Sequence, residues 1–162
     1  MNSLLVAVFD REISARRAML RLDDMALNGE IDLYERSIIR KKSDGTLKAF
    51  TGDISAGWET LAGAAVGSLV GIPGGPVGFV AGMIAGGAVG SAVSDLGQNA
   101  FGREFLKYLD DDVPTGSTLI VAHIGEKSPA YVDENLRSLG ANTIRRESFS
   151  TKKFSIEKEK LK

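Results

Sequence analysis

The chain has 162 residues, with 20 Lys plus Arg against 21 Asp plus Glu, one His and no Cys. That length suits one domain, or one domain with an appendage, and buries roughly 70% of the unfolded surface without staples. A net charge of −1 speaks against a dedicated nucleic-acid binder, because such proteins bind by neutralising phosphates. The lack of Cys excludes disulfides, thiol nucleophiles, iron–sulfur clusters and cysteine zinc sites.

Met1-Asn2-Ser3 has no basic character, and a short apolar stretch runs straight into Asp10. The start therefore does not read as a signal peptide, and the chain is expected on the cytoplasmic side. Leu4-Leu5-Val6-Ala7-Val8-Phe9 is a continuous apolar run and predicts a buried strand. Asp10 is the expected N-cap of a following helix. Ala15, Ala18, Met19, Leu22, Met25 and Ala26 fall on one face of it. Asn28-Gly29 ends it. Residues 31–42 read as a second strand, Ser43-Asp44-Gly45 as a turn, and residues 46–50 as its hairpin partner.

Residues 60–94 then pass without one charge, and 14 of the 19 glycines fall between Gly52 and Gly102. Gly63, Gly67 and Gly71 are spaced by four, as are Gly78, Gly82, Gly86 and Gly90. On a helix that spacing aligns each series. Each interior glycine costs about 1 kcal/mol relative to Ala, so the pattern calls for a compensating gain, which close small-xxx-small helix packing supplies. Ile72-Pro73-Gly74-Gly75-Pro76 interrupts the run, and the prediction is a helical hairpin with a glycine seam on each arm.

A bilayer span needs about 20 apolar residues, at least about 17. Residues 77–93 are wholly uncharged, whereas residues 56–72 contain Glu59. A membrane-inserted hairpin is therefore the first expectation: a lipid bilayer partner, the cytoplasmic side of the cell membrane, and Arg103, Lys107, Lys41, Lys42 and Lys48 kept with the soluble part. Trp58 then stands as an interfacial aromatic or as ordinary core. The alternative is a cytoplasmic soluble oligomer in which the hairpin is buried, since a helix apolar all round needs either lipid or protein on every side.

Thr118-Leu119-Ile120-Val121-Ala122-His123-Ile124 predicts another buried strand. Ser128 and Pro129 open a helix that Gly140 closes, with Val132, Leu136 and Leu139 as its apolar stripe. Residues 143–150 form the last strand, Ile144, Arg146 and Ser148 alternating against Arg145, Glu147 and Phe149. The order is β-α-β(-β), an insertion, then β-α-β. The expected fold class is α+β, a ferredoxin-like split βαβ sandwich with an inserted glycine-zipper helical hairpin. Residues 1–53 and 113–150 form the sandwich, 54–112 the insertion, and 151–162 a basic tail that is either solvated or touches anionic headgroups.

No catalytic constellation emerges. His123 at an apolar strand end reads as structural. Asp110-Asp111-Asp112 lacks the ligand spacing of a calcium loop and reads as a solvated helix-ending turn. Gly71-Ile72-Pro73-Gly74-Gly75 lacks the Lys-Ser/Thr of a P-loop. Arg16, Arg17 and Arg21 lie near Asp23 and Asp24, a solvated mixed face. No catalytic, cofactor-binding or metal residue is assigned, and no cofactor is expected.

The opening Leu4-Leu5-Val6-Ala7-Val8-Phe9-Asp10, the Asp44-Gly45 hairpin, the Gly63 to Gly90 series, Ser94-Asp95-Leu96-Gly97, the strand over 119–124 and Leu139-Gly140-Ala141 occur in that order. In this the chain resembles, over about residues 4–150, the bacterial family catalogued as domain of unknown function 1269, a family often labelled a membrane protein. The resemblance implies no activity and maps no catalytic residue. The expected function is a non-enzymatic, self-associating protein whose hairpin mediates membrane insertion, homo-oligomer assembly or both. The alternative is a soluble oligomeric module that binds a small regulatory ligand between open sheets.

Overall fold

The computed structural model describes residues 2–43, 47–51, 77, 102–108 and 112–148. Their elements follow the order β1 (Asn2–Phe9), α1 (Glu12–Leu27), β2 (Ile31–Lys41), β3 (Leu47–Thr51), α2 (Arg103–Lys107), β4 (Thr118–Glu126), α3 (Pro129–Ser138) and β5 (Ala141–Ser148). The class is α+β. One antiparallel sheet runs β3-β2-β4-β1-β5, so β1 and β2, joined through α1, flank β4, and β4 and β5, joined through α3, flank β1.

Local chemistry explains the helix boundaries. Asn28-Gly29 closes α1: Gly29 takes φ +71°, its N–H reaches Ala26 O, and the Glu30 N–H reaches Met25 O at 2.9 Å. Both bonds satisfy carbonyls that the helix end leaves open. Ser128 and Pro129 start α3, and Gly140 follows it at φ +104°. Asp10 is not the N-cap of α1. Arg11 occupies that position, and the Asp10 carboxylate instead accepts Asn142 Nδ2 at 2.6 Å, tying the start of α1 to β5.

Alternation along the strands sorts the core into two layers. Leu5, Ala7 and Phe9 of β1, Ile38 of β2, and Ile120, Ala122 and Ile124 of β4 face the helices. There they meet Ala15, Ala18, Met19, Leu22 and Met25 of α1 and Val132 and Leu136 of α3. The opposite face carries Leu4, Val6 and Val8, registered against His123, Val121 and Leu119, with Ile39 beside Leu119. Leu4, Val6, Ile39, Leu119 and Val121 are all 0% exposed, so this face is covered as fully as the helical one. The described residues that reach it come from the connection between β3 and β4. The Val77 amide bonds to the Glu35 side chain of β2, Tyr108 stacks under Arg145 of β5, and Phe105 and Val113 are buried nearby in the chain.

The expectation of a transmembrane helix is overturned. Among the described residues no helix is long and apolar enough to cross a membrane. Val77, the first residue of the expected second arm, is 2% exposed and donates its N–H to Glu35 Oε2 at 3.0 Å. A hydrocarbon core is about 30 Å thick, and an arm beginning on its far side cannot start in hydrogen-bond contact with β2. The rest of the expected hairpin, Trp58, Asp110-Asp111 and the tail over 151–162 lie outside the described residues.

Candidate functional site

The face away from α1 and α3 is where this fold departs from a plain two-layer sandwich, and its polar end is the candidate site. Three strands build it. Glu35 of β2 and Leu4 of β1 flank His123 of β4 in register. Between Leu33 and Glu35 the register of β2 shifts, an irregularity that re-aims side chains. Tyr34 sits at that shift, half exposed, with its ring 4.6 Å from the His123 imidazole and tilted by 38°. Two residues further along β4, on the same face, Asp32 lies opposite Gly125, which in turn lies opposite Asn2. A Cβ on Gly125 would come within 2.9 Å of Asn2 Oδ1 and 3.1 Å of Asp32 Oδ2. Glycine therefore lets these two polar side chains close over the strand end.

The Glu35 carboxylate is the anchor. It accepts the Val77 N–H at 3.0 Å across 42 positions of sequence, a charge-assisted bond, and such bonds are about twice as strong as neutral ones. Burial pulls the His123 imidazole below its ordinary value of 6.5, so the ring is neutral at pH 7. Further along this face the Arg145 guanidinium lies 4.4 Å from the Tyr108 ring centre, a cation–π contact. Burial pushes the Glu147 carboxyl up; Arg145 opposes that shift and Glu104 adds to it. Among the described residues no group of three or more His, Asp or Glu could hold a metal ion. Among the described residues, the arrangement holds the Val77 amide with a carboxylate at one end and places a guanidinium over the Tyr108 ring at the other.

His123 gives the site a pH signature. Its folded value lies below the unfolded one of 6.5, so in the window between the two the unfolded chain binds more protons. Stability is full above about pH 6.5 and falls as pH drops toward the folded value, where it levels off. Urea midpoints should decrease from pH 7.5 to 5.5, and His123→Gln should flatten that decrease. Equal slopes for the two proteins would remove His123 from the account.

The glycines singled out by spacing, Gly63, Gly67, Gly71, Gly78, Gly82, Gly86 and Gly90, all lie outside the described residues; Val77 adjoins the second series. Asp112 is exposed, while Asp110 and Asp111 lie outside. The basic residues of α1 do more than solvate a face. Arg21 Nε donates to Asn135 Oδ1 at 2.8 Å, and its Nη2 to the Tyr131 hydroxyl at 3.1 Å, joining α1 to α3. Arg16 and Arg40 both hold Glu12, whose value the Arg16 hydrogen bond lowers despite some burial. Sequence reasoning missed Glu35, Tyr34, Arg145 and Tyr108. Each is an ordinary polar or aromatic residue, and its partner is set by register or by chain return across dozens of residues, which periodicity does not encode.

Residues 57–161 match the family described as protein of unknown function (DUF1269). The chain belongs to this family. The DUF1269 match begins at residue 57, so the opening strand and the Asp44-Gly45 turn lie outside it, and it runs through the basic tail beyond residue 150. No curated protein and no solved structure matches the chain. The DUF1269 region thus contains Val77, α2, β4, α3 and β5, whereas β1, α1 and β2, which carry Glu35, come before it.

Proposed function

We propose that this chain is a non-enzymatic, self-associating protein: a ferredoxin-like sandwich with an inserted glycine-rich segment over 54–112 through which copies assemble. The observation that carries the reading is the glycine spacing, two series at intervals of four within 35 uncharged residues, 60–94. Such a pattern gains nothing in an isolated helix and much where backbones pack closely. The strand order β2-β4-β1-β5, with each half's helix linking strands that flank a strand of the other half, supports the ferredoxin-like part; β3 is then an added edge strand. Val77, buried and tied to Glu35, supports an insertion that folds against the sheet of its own chain.

Gly82→Leu with Gly86→Leu tests the assembly. Four added carbons at each position keep two helices apart, so sedimentation equilibrium should show the oligomer mass falling while circular dichroism retains the sheet. An unchanged mass distribution overturns the zipper.

A further inference from the structure

The outer side of β5 has no strand neighbour among the described residues. It is eight residues long, contains neither Gly nor Pro, and leaves Asn142, Thr143, Arg145 and Ser148 exposed. Edges of this kind present unpaired amides and carbonyls to any second strand, and proteins ordinarily blunt them with Pro, bulges or like charges. The irregularity against β1 lies only at the Val8/Phe9 step, next to Ala141. From Thr143 to Ser148 the strand is regular.

Its charges alternate in sign on one face. Arg145 and Glu147 point to the side that carries Val6 and Leu4, their partners in β1. Arg146, paired with Leu5, points to the helix side. There its guanidinium is matched by the Glu126 and Asp133 carboxylates and is only 16% exposed. Two copies related by a two-fold axis normal to the sheet keep like faces together, so each residue can oppose only residues of its own face. A register centred on Arg145 sets Arg145 against itself, and one centred on Glu147 sets Glu147 against itself. Centring on Ile144 sets Arg145 against Thr143. Only the register centred on Arg146 places Arg145 opposite Glu147, and it does so twice. The central Arg146 pair is then the one like-charge juxtaposition, and each member already has two carboxylates.

We propose that β5 pairs antiparallel with β5 of a second copy of this chain in the register centred on Arg146, joining two sheets into one. The proposal rests on the self-association reading but uses a different surface from the glycine series. Each Arg145–Glu147 contact then bridges two copies on the face where Tyr108 supports the guanidinium from below. Ile144 lies opposite Ser148, on the helix side.

The test is charge reversal in the Gly82→Leu, Gly86→Leu background, so that only this interface is read. The background protein should form two-copy species. Arg145→Glu sets Glu against Glu twice and Glu147→Arg sets Arg against Arg twice, so either should weaken the dimer at least about tenfold. An equimolar mixture of the two variants should restore it, because every opposed pair is again Arg with Glu. Unaltered dimer constants, or a mixture that stays dissociated, overturn the pairing. Hydrogen exchange on the unsubstituted chain gives a reading independent of variants. Amides of residues 144–148 should slow as concentration rises, and concentration-independent exchange there overturns the proposal. A chain that is monomeric at every concentration overturns both this pairing and the zipper assembly. A monomeric glycine variant beside an oligomeric unsubstituted chain overturns this pairing alone.

Discussion

Arg146→Leu is expected to destabilise the protein by about 3–5 kcal/mol, the range for removing one partner of a buried ion pair. The Glu126 side chain is 1% exposed at the end of β4, and Arg146 of β5 supplies both of its oxygens, Nε to Oε1 and Nη2 to Oε2, the latter at 3.0 Å. The same guanidinium reaches Asp133 Oδ1 at 2.6 Å and the Pro129 carbonyl at 3.3 Å, so one side chain holds the first turn of α3 to the sheet. Leucine would strip both guanidinium contacts from a Glu126 carboxylate that stays buried, and that uncompensated desolvation, more than the lost attraction, sets the size of the effect. The double variant Glu126→Leu, Arg146→Leu removes the buried carboxylate as well and should recover most of the loss. Urea unfolding at neutral pH checks both. A single-variant cost below about 1 kcal/mol would mean that solvent reaches Glu126 on unfolding fluctuations too small to break the fold.

The same cluster shows where sequence reading works and where it stops. Residues 4–9 and 118–124 are continuous apolar runs, and both are central strands buried on each face. Their hydrophobicity is a direct consequence of position, so they are legible. α1 is legible because its apolar residues recur at helical spacing, and its end because Asn28-Gly29 has few other uses. Edge strand β5 is legible as a strand through alternation, but the alternation puts Arg146 on the buried side, where a charge is acceptable only because Glu126 and Asp133 wait there. No local pattern announces that match: the three residues come from β4, α3 and β5. Glu35 is harder still, since its partner is a backbone amide, and every residue but proline has one. The transmembrane expectation failed for a related reason. Hydropathy measures how much apolar surface must be covered and not by what, and Val77, the described residue of the expected second arm, is covered by protein. The two runs that forecast buried central strands already required a cover on both sides of the sheet, while α1 and α3 supply only one.

That requirement leads to the second large effect. Leu5→Ala and Leu119→Ala should each cost about 2–5 kcal/mol, the range for truncating a fully buried leucine. Leu5 faces α1 and α3; Leu119 is registered against Val8 and Ile39 on the opposite face, and both leucines are 0% exposed. In a two-layer sandwich the opposite face meets water, and a leucine there could be truncated for about 0.5 kcal/mol or less. The comparison therefore weighs the cover itself, with Leu5→Ala as the internal standard for a closed core. Equal costs mean that the connection between β3 and β4 is part of the folded unit. Glu35→Gln should then lower stability further, by weakening the bond to Val77 that helps hold this cover down. A cheap Leu119→Ala beside a costly Leu5→Ala would mean that the face opens freely in solution.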